Sequence, residues 1–478
     1  MRSFYVMIAV ALAVVFLNGC ISTGLNNPRL ATAVSADIPD SWTAARIAVP
    51  VDAATGWLDD FDGGGKLLSL AREAVGKNYD LAASAARVRQ SLERVRIAKA
   101  DGLPQFDTGF STNRSQNLRG SQFTSSRANQ FALGLDLAWE VDLWGRIGNV
   151  KKARLADLKA VDADYQAARL SLGATVVKTA LEILESEMQV DLSRKNLKSL
   201  QTNLEILDSK LEAGDAEDRT ALDISLSRAD VARTESTIAQ QQREADESRR
   251  ALEALLGRYP KGKIESLRTL PTISRSIPGG LPSELLLRRP DLIAAEARVD
   301  AQFQEVAASR KALLPTFRIT AGGGTSTTQD LSDLMDINNL VWNIGQNLAQ
   351  PIFLAGKLKA DIRLTEAERD EVAAQYADTA LAAFREVETA LAAEKYYIKQ
   401  VAALEKAATE SDRAEELSLS QYEKGLVDII TLLESQRRAF DANSSLLTVR
   451  LLLLQNRVDL HLALGGDFDH APEVKENK

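Results

Sequence analysis

Several things that enzymes and nucleic-acid binders rely on are scarce in this chain. Its 478 residues include one cysteine, Cys20, and two histidines, His461 and His470. That inventory cannot supply a disulfide framework, a Cys/His metal set or a nucleophile–histidine pair, so enzyme chemistry is not expected. Basic residues are not in excess: the net charge is −8. Counterion release from a polyanion therefore has nothing to work with, and nucleic acid is excluded as a partner. Gly63-Gly64-Gly65-Lys66 is followed by Leu67 and lacks the spacing and hydroxyl of a phosphate-binding loop. Aromatics make up 5% and prolines number 12. Proline is missing altogether from 105 to 259 and from 352 to 471. Proline breaks helix interiors, so two such tracts are expected to hold very long helices. Beyond the N-terminus no apolar run reaches the roughly 20 residues of a spanning helix. Any further membrane contact must be made by strands.

The exception to this scarcity is the start. Arg2 precedes an apolar stretch from Phe4 to Cys20, too short to span and shaped like a secretory signal. Its end, Leu17-Asn18-Gly19-Cys20, resembles a bacterial lipobox, although Asn18 departs from the usual small residue. The resemblance implies a signal peptide over 1–19 and lipid, palmitate included, on Cys20. Ile21 follows rather than an aspartate of inner-membrane retention, so the implied destination is the outer membrane.

The rest of the chain is written twice. Leu103-Pro104-Gln105-Phe106 returns 211 residues later as Leu314-Pro315-Thr316-Phe317. The same offset carries Asp80 to Asp291, Leu137-Ala138 to Leu348-Ala349, and Gly145-Arg146 to Gly356-Lys357. It still relates Glu212-x-Gly214 to Glu423-x-Gly425, and slips by three where Leu256-Gly257 answers Leu464-Gly465. One offset persisting through so much chain marks a duplication. The expected organisation is an extended arm over 20–62, repeat 1 over 63–257, a proline-bearing linker over 258–282, repeat 2 over 283–466 and a tail over 467–478.

Each repeat opens with a helix, about 66–101 and 283–312, that ends at the LPxF phrase. Strands follow at about 103–113 and 130–140, and at about 314–324 and 340–350. In the second of these, Phe131, Leu133, Leu135, Leu137 and Trp139 alternate with Ala132, Gly134, Asp136, Ala138 and Glu140. Period two over about ten residues suits a membrane strand. It also suits a soluble sheet with one wet face; the outer-membrane address favours the former. Polar loops are expected at 113–129 and 325–339. Four strands do not close a barrel, and an open edge cannot face lipid, so such a barrel needs several subunits. Helical hairpins are expected over 146–257 and 356–465. Leucines at mostly three- and four-residue steps (Leu197, Leu200, Leu204, Leu207, Leu211) form a coiled-coil-like seam. At 1.5 Å per residue the longer arms run roughly 90 Å.

Together these features resemble the outer membrane factor (TolC-like) family, and within it the RND-type efflux lipoproteins of the OprM/NodT branch. The most specific pieces are Arg289-Pro290-Asp291-Leu292, the LPxF phrases, Asp142-Leu143-Trp144-Gly145-Arg146, Pro351-Ile352-Phe353 and the stretch from Tyr422 to Phe440. The resemblance implies a mainly α fold with a membrane β part. It implies a homotrimer: an α-helical barrel of long hairpins plus a 12-stranded β-barrel, four strands per subunit. The implied role is a passive exit channel of a tripartite efflux system, partnered by a periplasmic adaptor, an inner-membrane RND-type pump and outer-membrane lipids. Beyond the lipid on Cys20 it implies no cofactor and no metal site. A periplasmic adaptor lipoprotein and a type I secretion exit channel are the alternatives. The family narrows its periplasmic entrance near the hairpin tips, which points to Ile430, Glu434, Asp428 and Asp223 as the gate. Ile430 and Glu434 are four apart and share a helix face. A ring of Glu434 would concentrate negative potential and favour cations. Gly214, Gly425, Lys424 and Leu426 are the expected adaptor-docking residues.

Overall fold

The computed structural model describes residues 42–43, 57–61, 64–119, 124–212, 220–265, 269–273 and 288–466. The signal, Cys20 and the tail lie outside them. Two units are distinguished, Met1–Ile38 and Pro39–Lys478, and everything below concerns the second.

Repeat 1 comprises α1 (Gly64–Lys77), α2 (Tyr79–Ala100), strands β1 (Gln105–Arg119) and β2 (Thr124–Val141), and helices α3 (Arg146–Glu212) and α4 (Thr220–Leu255). Repeat 2 comprises α5 (Pro290–Lys311), β3 (Thr316–Thr327), β4 (Leu340–Ala349), α6 (Lys357–Glu423) and α7 (Ile429–Ala463). Both α3 and α6 contain 67 residues, about 100 Å of helix. No described helix is long and apolar enough to cross a membrane.

The first helix of repeat 1, expected to be continuous, is two. Asn78 breaks it because its Oδ1 accepts from the Leu81 amide (3.0 Å) and so caps α2. Its Nδ2 also donates to the Leu255 carbonyl (3.0 Å) at the end of α4. Arg289, the equivalent residue 211 positions on, occupies the N-cap position of α5 without a side-chain capping bond and donates to the Ala463 carbonyl (3.3 Å) at the end of α7. Arg289 adds a two-pronged bond to Asp291 (3.0 and 2.6 Å) and one to Glu386 (2.7 Å). The motif around Arg289 is thus a brace that ties three helices of its repeat together. The Leu-Gly ends fit the same plan. Gly257 and Gly465 both have φ near +70°, and a Cβ on them would lie 2.5 Å from the Lys77 carbonyl and 3.1 Å from that of Arg288. Glycine is required there for backbone twist and for close approach alike.

The sheet is antiparallel throughout, in the order β1-β2-β3-β4. The expected polar loop at 113–129 is mostly strand: Asn113–Arg119 pair with Thr124–Gln130. Backbone ladder bonds need no apolar side chains, so an alternation search misses a ladder that is polar on both faces. The 325–339 segment contains the end of β3 and two short 3-10 turns, Leu331–Met335 and Ile337–Asn339. Where alternation exists, the register honours it. Phe106 pairs with Leu137, Leu137 with Ala321, and Ala321 with Ile344. Directly paired residues share a face. One face therefore collects Phe106, Phe110, Leu133, Leu135, Phe317, Trp342, Ile344 and Leu348, whereas Asp107, Asp136 and Asn343 lie on the other. Phe106, Leu135, Trp342 and Ile344 are all more than half exposed.

The main core lies where the hairpins leave the short helices. Leu67, Ala71 and Ala74 of α1 meet Leu170, Val177 and Leu181 of α3, Leu252 of α4 and Leu454 and Val458 of α7. The arm expected to be extended contributes a folded piece: Trp57, Leu58 and Phe61 are buried in this core, and Trp57 stacks on His461 at 5.2 Å.

Gly257→Ala is expected to lower the unfolding temperature in detergent more than Gly356→Ala. The two share a left-handed backbone worth roughly 1–2 kcal/mol against alanine, but a Cβ on Gly356 meets no atom within 4 Å. Equal shifts would mean that contact with Lys77 is immaterial.

Candidate channel entrance at the hairpin tips

The second hairpin reverses over five residues whose backbone bonds explain the turn. The Gly425 amide donates to the Tyr422 carbonyl and the Leu426 amide to that of Gln421, both at 2.9 Å. With Gly425 at φ +72°, this is the doubly bonded helix stop that glycine favours. Lys424 is the helix cap and Leu426 projects, 71% exposed. Asp428 then starts α7: its Oδ1 accepts from the Thr431 amide (2.8 Å) and hydroxyl (2.6 Å). Of the expected docking residues, Gly425, Lys424 and Leu426 adjoin one another at this tip. Gly214 lies outside the described residues.

Below the turn, Tyr422, Ile429 and Leu432 of the second hairpin pack with Leu207 and Ile224 of the first. Deeper still, buried Asn203 donates from Nδ2 to the Gln436 Oε1 at 2.7 Å. The two tips are therefore one packed unit rather than independent arms. Asp223, in the first turn of α4, is half-buried. Burial, and secondarily the Asp223 charge, push the Tyr422 phenol above its ordinary pKa.

Ile430 and Glu434 face the same way. Both line a groove of 450 Å³ between α7 and the first hairpin, with Leu200 of α3 and Leu226, Asp230 and Arg233 of α4 opposite. Glu434 is not a bare acid. Arg438 Nε donates to its Oε1 at 2.7 Å, and Arg437 donates to Oε1 from Nη2 (2.9 Å) and to Oε2 from Nε (3.0 Å) and Nη2 (2.7 Å). Arg437 also reaches Asp441 at 3.3 Å. The hydrogen bonds from Arg438, then those from Arg437, hold the Glu434 carboxyl below the usual carboxylate range. Within one chain, Glu434, Asp441, Arg437 and Arg438 thus form a charge-balanced cluster. Sequence reasoning missed both arginines, though their spacing at i+3 and i+4 from Glu434 was the signal. Asp428 and Asp223 are not part of this cluster: one is engaged as a cap and the other adjoins Tyr422.

Two helical hairpins of great length, one edge-open antiparallel sheet with an exposed apolar face, and a packed double tip define a periplasm-spanning class of outer-membrane channel subunit. The family model described as "Outer membrane efflux protein" matches residues 70–258 and again 281–466, and the chain belongs to that family. The pyoverdine export outer membrane protein OpmQ of Pseudomonas putida is 31% identical over 420 residues, covering 84% of this chain and 86% of that protein. The cation efflux system protein CusC of Escherichia coli is 28% identical over 403 residues, with 84% and 86% covered. The fold matches the Campylobacter jejuni CmeC outer membrane channel at TM-score 0.84, with 24% identity and 91% and 93% of the two chains covered.

The arginine clasp makes a directional prediction for planar bilayers. Arg437→Gln with Arg438→Gln uncovers Glu434 and should shift the reversal potential toward cation selectivity; Glu434→Gln should shift it toward anions. Because the Glu434 pKa is depressed, the clasp is intact above the ordinary glutamate value of about 4.3 and is lost only as pH falls through the lowered one. Selectivity that changes between about pH 7 and 5 through this cluster would contradict that assignment.

Proposed function

We propose that the chain is one third of a passive exit duct in a tripartite efflux system, carrying small molecules across periplasm and outer membrane. The observation that supports this best is the sheet. β1 and β4 pair within the chain on one side only, and the face shared by all four strands is apolar and exposed. In hydrocarbon each unpaired backbone group costs several kcal/mol, so the edges must meet other copies. Three copies would make 12 strands, within the range of such barrels, and their six hairpins a tunnel. The inner face of that barrel would carry Asp107 opposite Asp136, giving the lumen an acidic band.

The assembly would be held to the outer membrane by lipid on Cys20 as well as by the barrel. Energy would come from an inner-membrane pump, bridged by an adaptor seated around Gly425, Lys424, Leu426 and Gly214. The gate would be formed where Ile430 and Glu434 face the groove, with Asp428 and Asp223 supporting the tip. The relatives' cargoes differ, pyoverdine for one and cations for another, which supports placing cargo choice in the pump. An adaptor role is disfavoured by two hairpins near 100 Å and by the open sheet.

Purified from outer-membrane fractions in detergent, the protein should run as a heat-sensitive trimer and open conducting pores in planar bilayers. A water-soluble monomer without conductance would overturn the reading. Metabolic labelling should place palmitate on the wild-type chain and none on Cys20→Ser, which should still assemble.

A further inference from the structure

The net charge of −8 is not spread evenly along the chain. Where helix meets strand, over 96–104, 140–154, 310–318 and 349–363, lysine and arginine number twelve and aspartate and glutamate four. The excess is opposite in sign to that of the whole chain, so these junctions form a basic level at the base of the sheet. Between β2 and α3 the charge is answered within the chain. Arg146 Nη2 donates to Glu140 Oε1 (2.6 Å), and Asp142 accepts from the amides of Ile147 (3.1 Å) and Gly148 (2.7 Å). Trp144 Nε1 donates to the Pro315 carbonyl (2.7 Å).

The second repeat removes these partners and keeps the bases. At the 211-residue offset Glu140, Asp142 and Trp144 become Pro351, Phe353 and Ala355. Arg146 and Lys152 become Lys357 and Arg363, and Gly148 becomes Lys359. All three of these bases are exposed, and among the described residues none of their charged groups meets an acid or another acceptor. Asp361 is the single acid in the stretch 349–363. Just ahead of the bases, Ile352, Phe353 and Leu354 are 95%, 84% and 49% exposed. Ile352 keeps the alternation of Trp342, Ile344 and Leu348, so apolar surface runs on past the end of β4 almost to Lys357.

Resting on the reading of the sheet as membrane-embedded, we propose that the β4–α6 junction binds anionic phospholipid of the periplasm-facing leaflet, of the phosphatidylglycerol class. Ile352 and Phe353 enter the acyl region, and Lys357, Lys359 and Arg363 take the phosphates. The order along the chain, apolar and then basic, is the order of acyl chain and head group from bilayer to water. The three bases fall within seven residues, about 10 Å of helix, which is roughly the distance over which the potential of a charged leaflet decays. Zwitterionic lipid offers the same acyl chains without net charge, so charge complementarity selects the anionic class. At the β2–α3 junction Arg146 is already paired with Glu140, and Asp142 stands where Phe353 would reach lipid. Each chain therefore presents this site once, beside β4.

The full-length protein, reconstituted in equimolar phosphatidylcholine–phosphatidylglycerol vesicles and re-extracted in mild detergent, tests this. Mass spectrometry should find phosphatidylglycerol retained several-fold over phosphatidylcholine. Each lysine or arginine near an anionic surface strengthens binding about fivefold, so Lys357→Gln with Lys359→Gln and Arg363→Gln should abolish the enrichment. Lys357→Arg with Lys359→Arg should preserve it. So should Lys399→Gln with Lys406→Gln, which neutralises exposed bases farther along α6. Equal retention of the two lipids by the wild type, or undiminished enrichment in the triple variant, would overturn the proposal. Displacement of the retained lipid by inorganic phosphate at constant ionic strength would show a free-anion site and overturn it as well. Conductance of the same vesicles separates the two readings. A wild type that conducts without enrichment removes the lipid site alone, whereas one that neither inserts nor conducts removes the membrane reading beneath it.

Discussion

The unpaired backbone at the outer sides of β1 and β4 is the constraint on which the rest of the molecule depends. Water satisfies such an edge in a soluble sheet, but hydrocarbon offers no partner, and a four-stranded sheet is too narrow to close on itself. Everything else about the strands suits a membrane. Their large apolar residues, Val341 apart, share one face, their acids share the other, and their register brings the matching faces of all four into line. Placed in hydrocarbon, a four-stranded sheet of this kind would be incomplete on its own.

The helices meet the complementary demand of length. With 67 residues in α3 and again in α6, each repeat carries an arm of about 100 Å that no compact core could stabilise. Stability is instead gathered at two levels. The wide core around Leu181, Leu252 and Val458, fed by Trp57 and Phe61 from the arm, fixes the roots of the hairpins. The small cluster of Leu207, Ile224, Tyr422, Ile429 and Leu432 fixes their tips to one another. The buried Asn203–Gln436 bond and the shared apolar cluster tie the two hairpins together, so bending one alone would break both contacts.

Much of this was legible in the residues. The absence of proline from two tracts foretold the long helices, Gly425 foretold the turn, and the repeated LPxF phrase marked the passage from helix to strand. The family assignment followed from the order of these pieces, and the match of the family model to each half separately agrees with the duplication. What escaped were features without a one-dimensional signature. The polar ladder from Asn113 to Gln130 has no alternation to find. The break at Asn78 rests on its cap to Leu81, but the bond that anchors it there goes to Leu255, 177 residues away. The clasp on Glu434 had a spacing signal, yet the same i+3 and i+4 pairs occur all along these helices, and only the fold distinguishes the one beside the groove.

The sequence by itself determined the class of architecture: period two and helical periods are local properties, and a fixed 211-residue offset repeats them whatever the packing. It determined, too, the chemistry that is not on offer, since a side chain that is not in the chain cannot appear in the fold. Only the tertiary structure decided which groups meet. That Arg289 braces three helices, that Asn203 meets Gln436 and that Trp57 stacks on His461 are facts of distance. Distance between residues far apart in the chain is set by packing, and periodicity carries no record of it.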